Sequence, residues 1–156
     1  MNKINEKALS EALVRAVMVT FADMAFLDVV SNPERKSLGK GEIHQIIGLP
    51  LLDPIMGNLY LFLPKDCKRA IVENIHGRPW EELSIEEIDD CLLELLNVLG
   101  GNFLENYLGR DKKYNISFPE VIFDDKEIES RSLCLELYFD AEGIPFKILV
   151  TLEAVI

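Results

Sequence analysis

A long amphipathic pattern followed by a strand and a hairpin occurs twice in this chain, once in each half. In NEKALSEALVRAVMVTFADM (residues 5–24), Leu9, Leu13, Ala16, Val17 and Phe21 recur at helical spacing. AFLDVV then has the length and β-branched ending of a strand, and SNPERKSLGKG is a polar loop carrying Pro33, Gly39 and Gly41. EIHQIIGL and NLYLFL form a strand pair joined around LLDPIMG, where Pro54 and Gly57 supply turn chemistry. PKDCKRAIVENIHG opens as a short helix with proline in its first turn, and GRPWEEL links it to the second half.

That half begins at Ser84. SIEE is a capping box, in which the Ser84 hydroxyl and the Glu87 carboxylate satisfy each other's free backbone N–H groups. The helix it starts runs to Tyr107 or Leu108 and stops at Gly109. Strands follow at KYNISFPEVIF, RSLCLELYF and IPFKILVTL, the last two joined by the tight turn DAEG. Two such halves bury their apolar faces if the hairpins share one sheet under both helices. The expected class is α+β, an antiparallel sheet of about six strands packed by two long helices, with a helix–strand–hairpin pseudo-repeat. At 156 residues with no long linker, residues 1–156 form a single domain.

Sixteen basic against 27 acidic residues give a net charge of -11. Nucleic acid and anionic membrane surfaces, which call for clustered Lys/Arg, are poor partners for such a chain. The N-terminus lacks a signal-peptide apolar core, and no apolar run approaches the ~18 residues of a membrane span. A cytoplasmic protein is expected. Cys67, Cys91 and Cys134 form no CxxC pair or Cys/His cluster, so they read as reduced, mostly packed thiols, with neither zinc nor disulfides signalled.

The second long helix holds an oddity, DDCLLELLNVLGGN. With Asp90 set at zero and about 100° per residue, Glu94 falls at about 40°, Asn97 at about -20° and Gly101 at about 20°. Ile88, Leu92, Leu95, Leu99 and Phe103 occupy the opposite side, so Glu94 and Asn97 stand together on an outward ridge, flanked by Leu93 and Leu96, which are expected to leave apolar surface beside it. A solvated polar face would show the same spacing. Two features favour something more: Asn competes for backbone hydrogen bonds inside a helix, and Gly100 and Gly101 each cost about 1 kcal/mol against Ala there. Glycines beside an Asn suggest that something approaches the helix closely.

These residues resemble the signature of the CheC/CheX/FliY family of chemotaxis phosphatases. The resemblance lies in Asp90, three residues, Glu94, two residues, Asn97, then the small Gly100–Gly101–Asn102 segment and Pro119 in ISFPEVI. Twenty-one residues separate Asn97 from Pro119, one fewer than the family's usual spacing. GNLYLFLPKDCKRAIVENI also resembles the family's hairpin strand and short helix. By this likeness the function is dephosphorylation of a phosphorylated response regulator, typically the CheY-like receiver of chemotaxis.

The resemblance assigns catalysis to Asn97, which orients the attacking water, and to Glu94, which pairs with a lysine of the receiver. Asp90, Gly100 and Gly101 fall to partner contact. No cofactor of its own is implied, since Mg2+ belongs to the receiver. The first helix carries Ala12 and Arg15 where the pair would stand, which implies one site per chain and a nearer likeness to CheX. Such relatives tend to pair through their sheets, so a homodimer is an open expectation. The apolar last strand, LVTLEAVI, suits either such pairing or the sheet interior. A non-catalytic receiver-binding module of the same fold is the alternative, and a sensory domain with a merely solvated ridge is a third.

His44 and His76 have no acid or cysteine at ligand spacing and read as structural or exposed. Asp124 and Asp125 read as a solvated turn, and Trp80 as a cover on the helix–linker junction. No Gly-rich phosphate loop, GxSxG elbow or HExxH motif is present.

Overall fold

The computed structural model describes residues 4–38, 43–128 and 133–153. Expectations for Gly39, Gly41, Glu42, Arg131, Ser132 and the last three residues lie outside these. Helix α1 spans Glu6–Ala25, with the Asn5 side chain accepting from the Ala8 N–H at 3.1 Å. Leu9, Leu13, Ala16, Val17 and Phe21 are all buried, as their spacing requires. The helix takes Ala25 from the expected strand, and Phe26 turns left-handed at φ 54°. An extended run cannot continue through a positive φ, so β1 is only Val29–Ser31.

Strands β2 (Ile43–Asp53) and β3 (Gly57–Pro64) form the first hairpin. Helix α2 (Lys65–His76) follows, with Pro64 at its N-cap rather than inside its first turn. The linker folds into a 3-10 turn, Trp80–Glu82, before helix α3, Ile85–Leu108. The stretch expected as one strand from Lys113 to Phe123 splits into β4 (Asn115–Ile116) and β5 (Glu120–Ile122). Pro119 has no N–H to donate to the neighbouring strand, and the ladder breaks before it. The second hairpin is β6 (Leu133–Ala141) and β7 (Ile144–Leu152). Its turn takes positive φ at both Glu142 and Gly143, the two-residue geometry that suits strand twist.

The sheet runs β1-β6-β7-β3-β2-β4, with β5 also paired to β2 and every pairing antiparallel. The two hairpins meet at β3 and β7, and each half sends its short strand to the other half's hairpin. β1 lies on β6, while β4 and β5 lie on β2. This exchange gives the pseudo-repeat a structural form. β7 is an interior strand, paired on both sides, so its edge is closed to a second chain.

Side chains alternate across the sheet. Ile47, Leu49, Leu51, Leu59, Leu61 and Leu63 join the core beneath the helices, where Phe146 stacks between Phe21 and Phe139 at 4.8 and 5.2 Å. A second, smaller cluster of Leu38, Ile46, Tyr60, Phe62, Ile122 and Tyr138 fills the other face. Fully burying one Leu or Phe is worth roughly 1.5–3 kcal/mol, so the helix-covered face contributes most to stability.

Candidate functional site

The site rests on α3. Its start is fixed by the capping box: the Glu87 N–H donates to the Ser84 hydroxyl, and the Ser84 N–H to the Glu87 carboxylate, both at 3.0 Å. Those bonds, from the Ser84 backbone first and then its hydroxyl, hold the Glu87 carboxyl below its ordinary range, with Arg78 adding a smaller pull. At the far end the Gly109 N–H closes on the Glu105 carbonyl at 2.9 Å, with φ 101° at the glycine.

Leu92, Leu95, Leu99 and Phe103 are fully buried, while Asp90 and Glu94 are exposed and Asn97 half-exposed. The ridge therefore stands where the spacing put it. Leu96 is a correction: expected to leave apolar surface beside the ridge, it is fully buried, because the buried arc widens toward β2. Helix α1 runs antiparallel along the other flank, tied by Asn102 Nδ2 to Thr20 Oγ1 at 2.9 Å and Asn106 Nδ2 to the Ala12 carbonyl at 3.3 Å.

Both glycines have neighbours within the chain. A Cβ on Gly100 would stand 2.2 Å from Leu49 Cδ2, so this glycine lets α3 settle onto β2. The expectation that Gly100 clears room for a partner is corrected: it is buried and faces the sheet. A Cβ on Gly101, half-buried on the ridge side, would meet the Tyr114 hydroxyl at 3.0 Å. The space above it is taken by the segment that follows α3, not left vacant for a docking chain. That segment is pinned by the Ser117 N–H to the Pro50 carbonyl at 3.0 Å and by Glu120 opposite Gly48, which sets Pro119 alongside Leu49, under Gly100. The Gly101–Tyr114 contact was missed in the sequence; its only local signal is a glycine inside an otherwise strong helix.

Among the described residues, neither Asp90, Glu94 nor Asn97 makes a side-chain hydrogen bond or ion pair. Asp89 differs: it accepts from Gln45 Nε2 at 3.0 Å and ties the helix to β2. A carboxylate and a carboxamide left unpaired one turn apart can both be offered to an incoming group. The arrangement supplies hydrogen-bonding groups and one negative charge side by side on the ridge.

The other sequence candidates serve the fold. Burial pushes the Cys67 thiol up to about 12, and burial followed by Asp89 and Asp90 pushes Cys91 up to about 11. Cys134 is exposed, unlike the packed thiol expected of it. Among the described residues no group of His, Cys, Asp and Glu is placed to hold a metal ion. His44 packs on the Trp80 ring at 6.3 Å, beside Lys68 Nζ at 3.4 Å. Burial first, then Lys68, lowers its pKa. Trp80 donates its N–H to Glu73 at 2.8 Å and lies under Arg69, covering the junction as expected. Asp124 caps the exposed 3-10 turn that holds Asp125. No described helix is long and apolar enough to cross a membrane.

The internally repeated antiparallel sheet carries its long helices on one face, and α3 presents its polar ridge to solvent. The family model described as chemotaxis phosphatase CheX matches residues 46–140, more than half of the chain, and the chain belongs to that family. No curated protein matches it. Among solved structures it is similar to a CheX from Desulfovibrio desulfuricans, with a TM-score of 0.74 at 16% identity over 93% of this chain and 99% of that one. The structure of a CheX-CheY-BeF3-Mg2+ complex from Borrelia burgdorferi matches with a TM-score of 0.68 at 15% identity, over 92% and 97%. FliY of Thermotoga maritima matches with 0.59 at 17% identity, over 97% and 92%. At such identities the likeness establishes the fold, CheC-like, with three α-helices on one face of a seven-stranded sheet among the described residues.

Proposed function

We propose that this chain hydrolyses the aspartyl phosphate of a CheY-like receiver domain, with Asn97 and Glu94 as its working residues. The observation that carries the reading is that both side chains stand unpaired on the open ridge of α3 in a member of the CheX family. A solved relative from Borrelia burgdorferi is a complex of CheX with CheY, BeF3 and Mg2+, which supports a receiver as the partner.

An acyl phosphate is already labile, and the receiver brings its own Mg2+. What remains is to hold one water in line with the phosphorus, since phosphoryl transfer depends mainly on positioning and electrostatics. The Asn97 carboxamide oxygen accepts a hydrogen from that water, leaving a lone pair directed at phosphorus. Being neutral, it does not repel the phosphoryl oxygens. The water's oxygen bonds to phosphorus, the bond to the receiver's aspartate breaks, and inorganic phosphate leaves with the carboxylate restored. Glu94 pairs with a receiver lysine and sets the register of docking, and Asp90, one turn earlier, extends the acidic contact.

The test mixes the protein with a phosphorylated receiver and follows phosphate release. Asn97→Ala is expected to lose about 10²–10³ in rate, the scale of one preorganised polar group, with the fold intact. Equal decay with wild type and Asn97→Ala on the true partner rules out catalysis by this residue. Binding without acceleration leaves a docking module of the same fold.

A further inference from the structure

On the reading above, every working group of the site belongs to α3; Tyr114 brings one from another element. Its ring packs against the main apolar cluster, while its hydroxyl lies where a Cβ of Gly101 would be met at 3.0 Å. Gly101 shares the ridge with Asn97, one turn away, and a helical Cβ tilts toward the N-terminus of its helix. The hydroxyl thus lies beside the Cβ position of Gly101, which is about 6 Å from that of Asn97 one turn earlier. Among the described residues it makes no hydrogen bond, a condition it shares with Asn97 and Glu94. A glycine inside a helix is unfavourable. Here it leaves the space this hydroxyl occupies.

We infer that the Tyr114 hydroxyl is a third polar group of the site and donates a hydrogen bond to the phosphoryl group of the docked receiver. This rests on the phosphatase reading and extends it beyond α3. Phosphoryl oxygens only accept, so a side chain that serves them must donate without adding negative charge, as a phenol does. The packed ring fixes the hydroxyl before docking, so little ordering is left for the encounter. It stands on the opposite side of Asn97 from Glu94, so the two groups bracket the residue that holds the water. The Ser117–Pro50 hydrogen bond and the pairing of Ile116 with Leu51 keep the segment carrying Tyr114 against β2.

The experiment compares wild type, Tyr114→Phe, Gly101→Ala and Asn97→Ala on a receiver whose decay wild type accelerates. Turnover is measured, together with affinity for the same receiver bare and loaded with beryllofluoride and Mg2+. Tyr114→Phe is expected to melt with wild type and bind bare receiver equally. It should lose roughly tenfold in affinity for the loaded receiver and roughly tenfold in kcat, as for a hydrogen bond to a charged group. Gly101→Ala, which displaces the hydroxyl from the helix side, should move both in the same direction by less. Wild-type values of both for Tyr114→Phe, while Asn97→Ala loses turnover, overturn the role of Tyr114 and leave the phosphatase reading standing. If wild type accelerates no receiver and Asn97→Ala changes nothing, the phosphatase reading fails and the inference falls with it.

Discussion

The two long helices lie antiparallel on the same sheet face, yet their equivalent turns present different side chains. On α3, Glu94 and Asn97 project away from the core and bond to nothing among the described residues. On α1 the corresponding positions are Ala12, fully buried with its carbonyl accepting from Asn106, and Arg15, which is exposed. The pseudo-repeat duplicates the scaffold without duplicating the display. A helix turn serves either as packing surface or as docking surface, and Ala12 has been given to the first use.

The sharpest way to break this comparison is to install the pair on α1. Ala12→Glu places a carboxylate at a position 1% exposed, under α3 and with no basic partner there among the described residues. It is expected to cost on the order of 3–5 kcal/mol, the scale of an uncompensated buried charge, measured by urea denaturation. Arg15→Asn, on the exposed side of the same turn, should stay within about 0.5 kcal/mol. Tolerance of Ala12→Glu would mean that the halves differ by sequence drift rather than by packing.

A smaller effect separates the two glycines of α3. Gly100→Ala drives a Cβ into Leu49 within the packed core, an overpacking cost of about 1–3 kcal/mol, against which the helix regains about 1. Gly101→Ala meets only the Tyr114 hydroxyl at 3.0 Å, a contact relieved by a shift of a few tenths of an ångström, so its helix gain should leave global stability unchanged or slightly raised. Comparing the two variants by denaturation separates the glycine that seats the helix from the one that seats a side chain. Asn102→Ala should cost at least as much as Gly100→Ala, about 1–3 kcal/mol, because it strips the partner from buried Thr20.

Local rules revealed what is local. The Ser84 cap, the Gly109 stop, the DAEG turn and the bounds of β7 all follow from residues adjacent in sequence, as does the outward placement of Glu94 and Asn97. Contacts distant in sequence were illegible. Gly100 needs Leu49, far upstream on β2, and Leu96 is buried because α3 lies over that strand. One face of a helix can be read from spacing, but how wide its buried arc becomes depends on the sheet beneath. The split at Pro119 was readable from proline chemistry, yet the alternation of KYNISFPEVIF masks it. What catalysis asks of Asn97 came from resemblance to a family, since helical geometry alone shows only display.

The smallest effect concerns how α3 begins. Glu87 caps α3 against the free N–H of Ser84, whereas α1 is capped by Asn5, which does not titrate. The Glu87 carboxyl is held below its ordinary value of about 4.5 in the folded chain, so folding favours its ionised form. That contribution is complete above the ordinary value and is lost as pH falls through the lower folded one. Glu87→Gln keeps a capping side chain but cannot ionise, so it is slightly less stable than wild type at pH 7. The gap should close between pH 4.5 and the more acidic folded value, and stay closed below it. Denaturation midpoints for the two proteins from pH 7 to about pH 3 provide the measurement. The same series with Asn5→Ser should show a gap that does not depend on pH, because neither cap carries a proton in that range. A pH-dependent gap at Asn5 as well would mean that the acid response belongs to the whole chain and not to the start of α3.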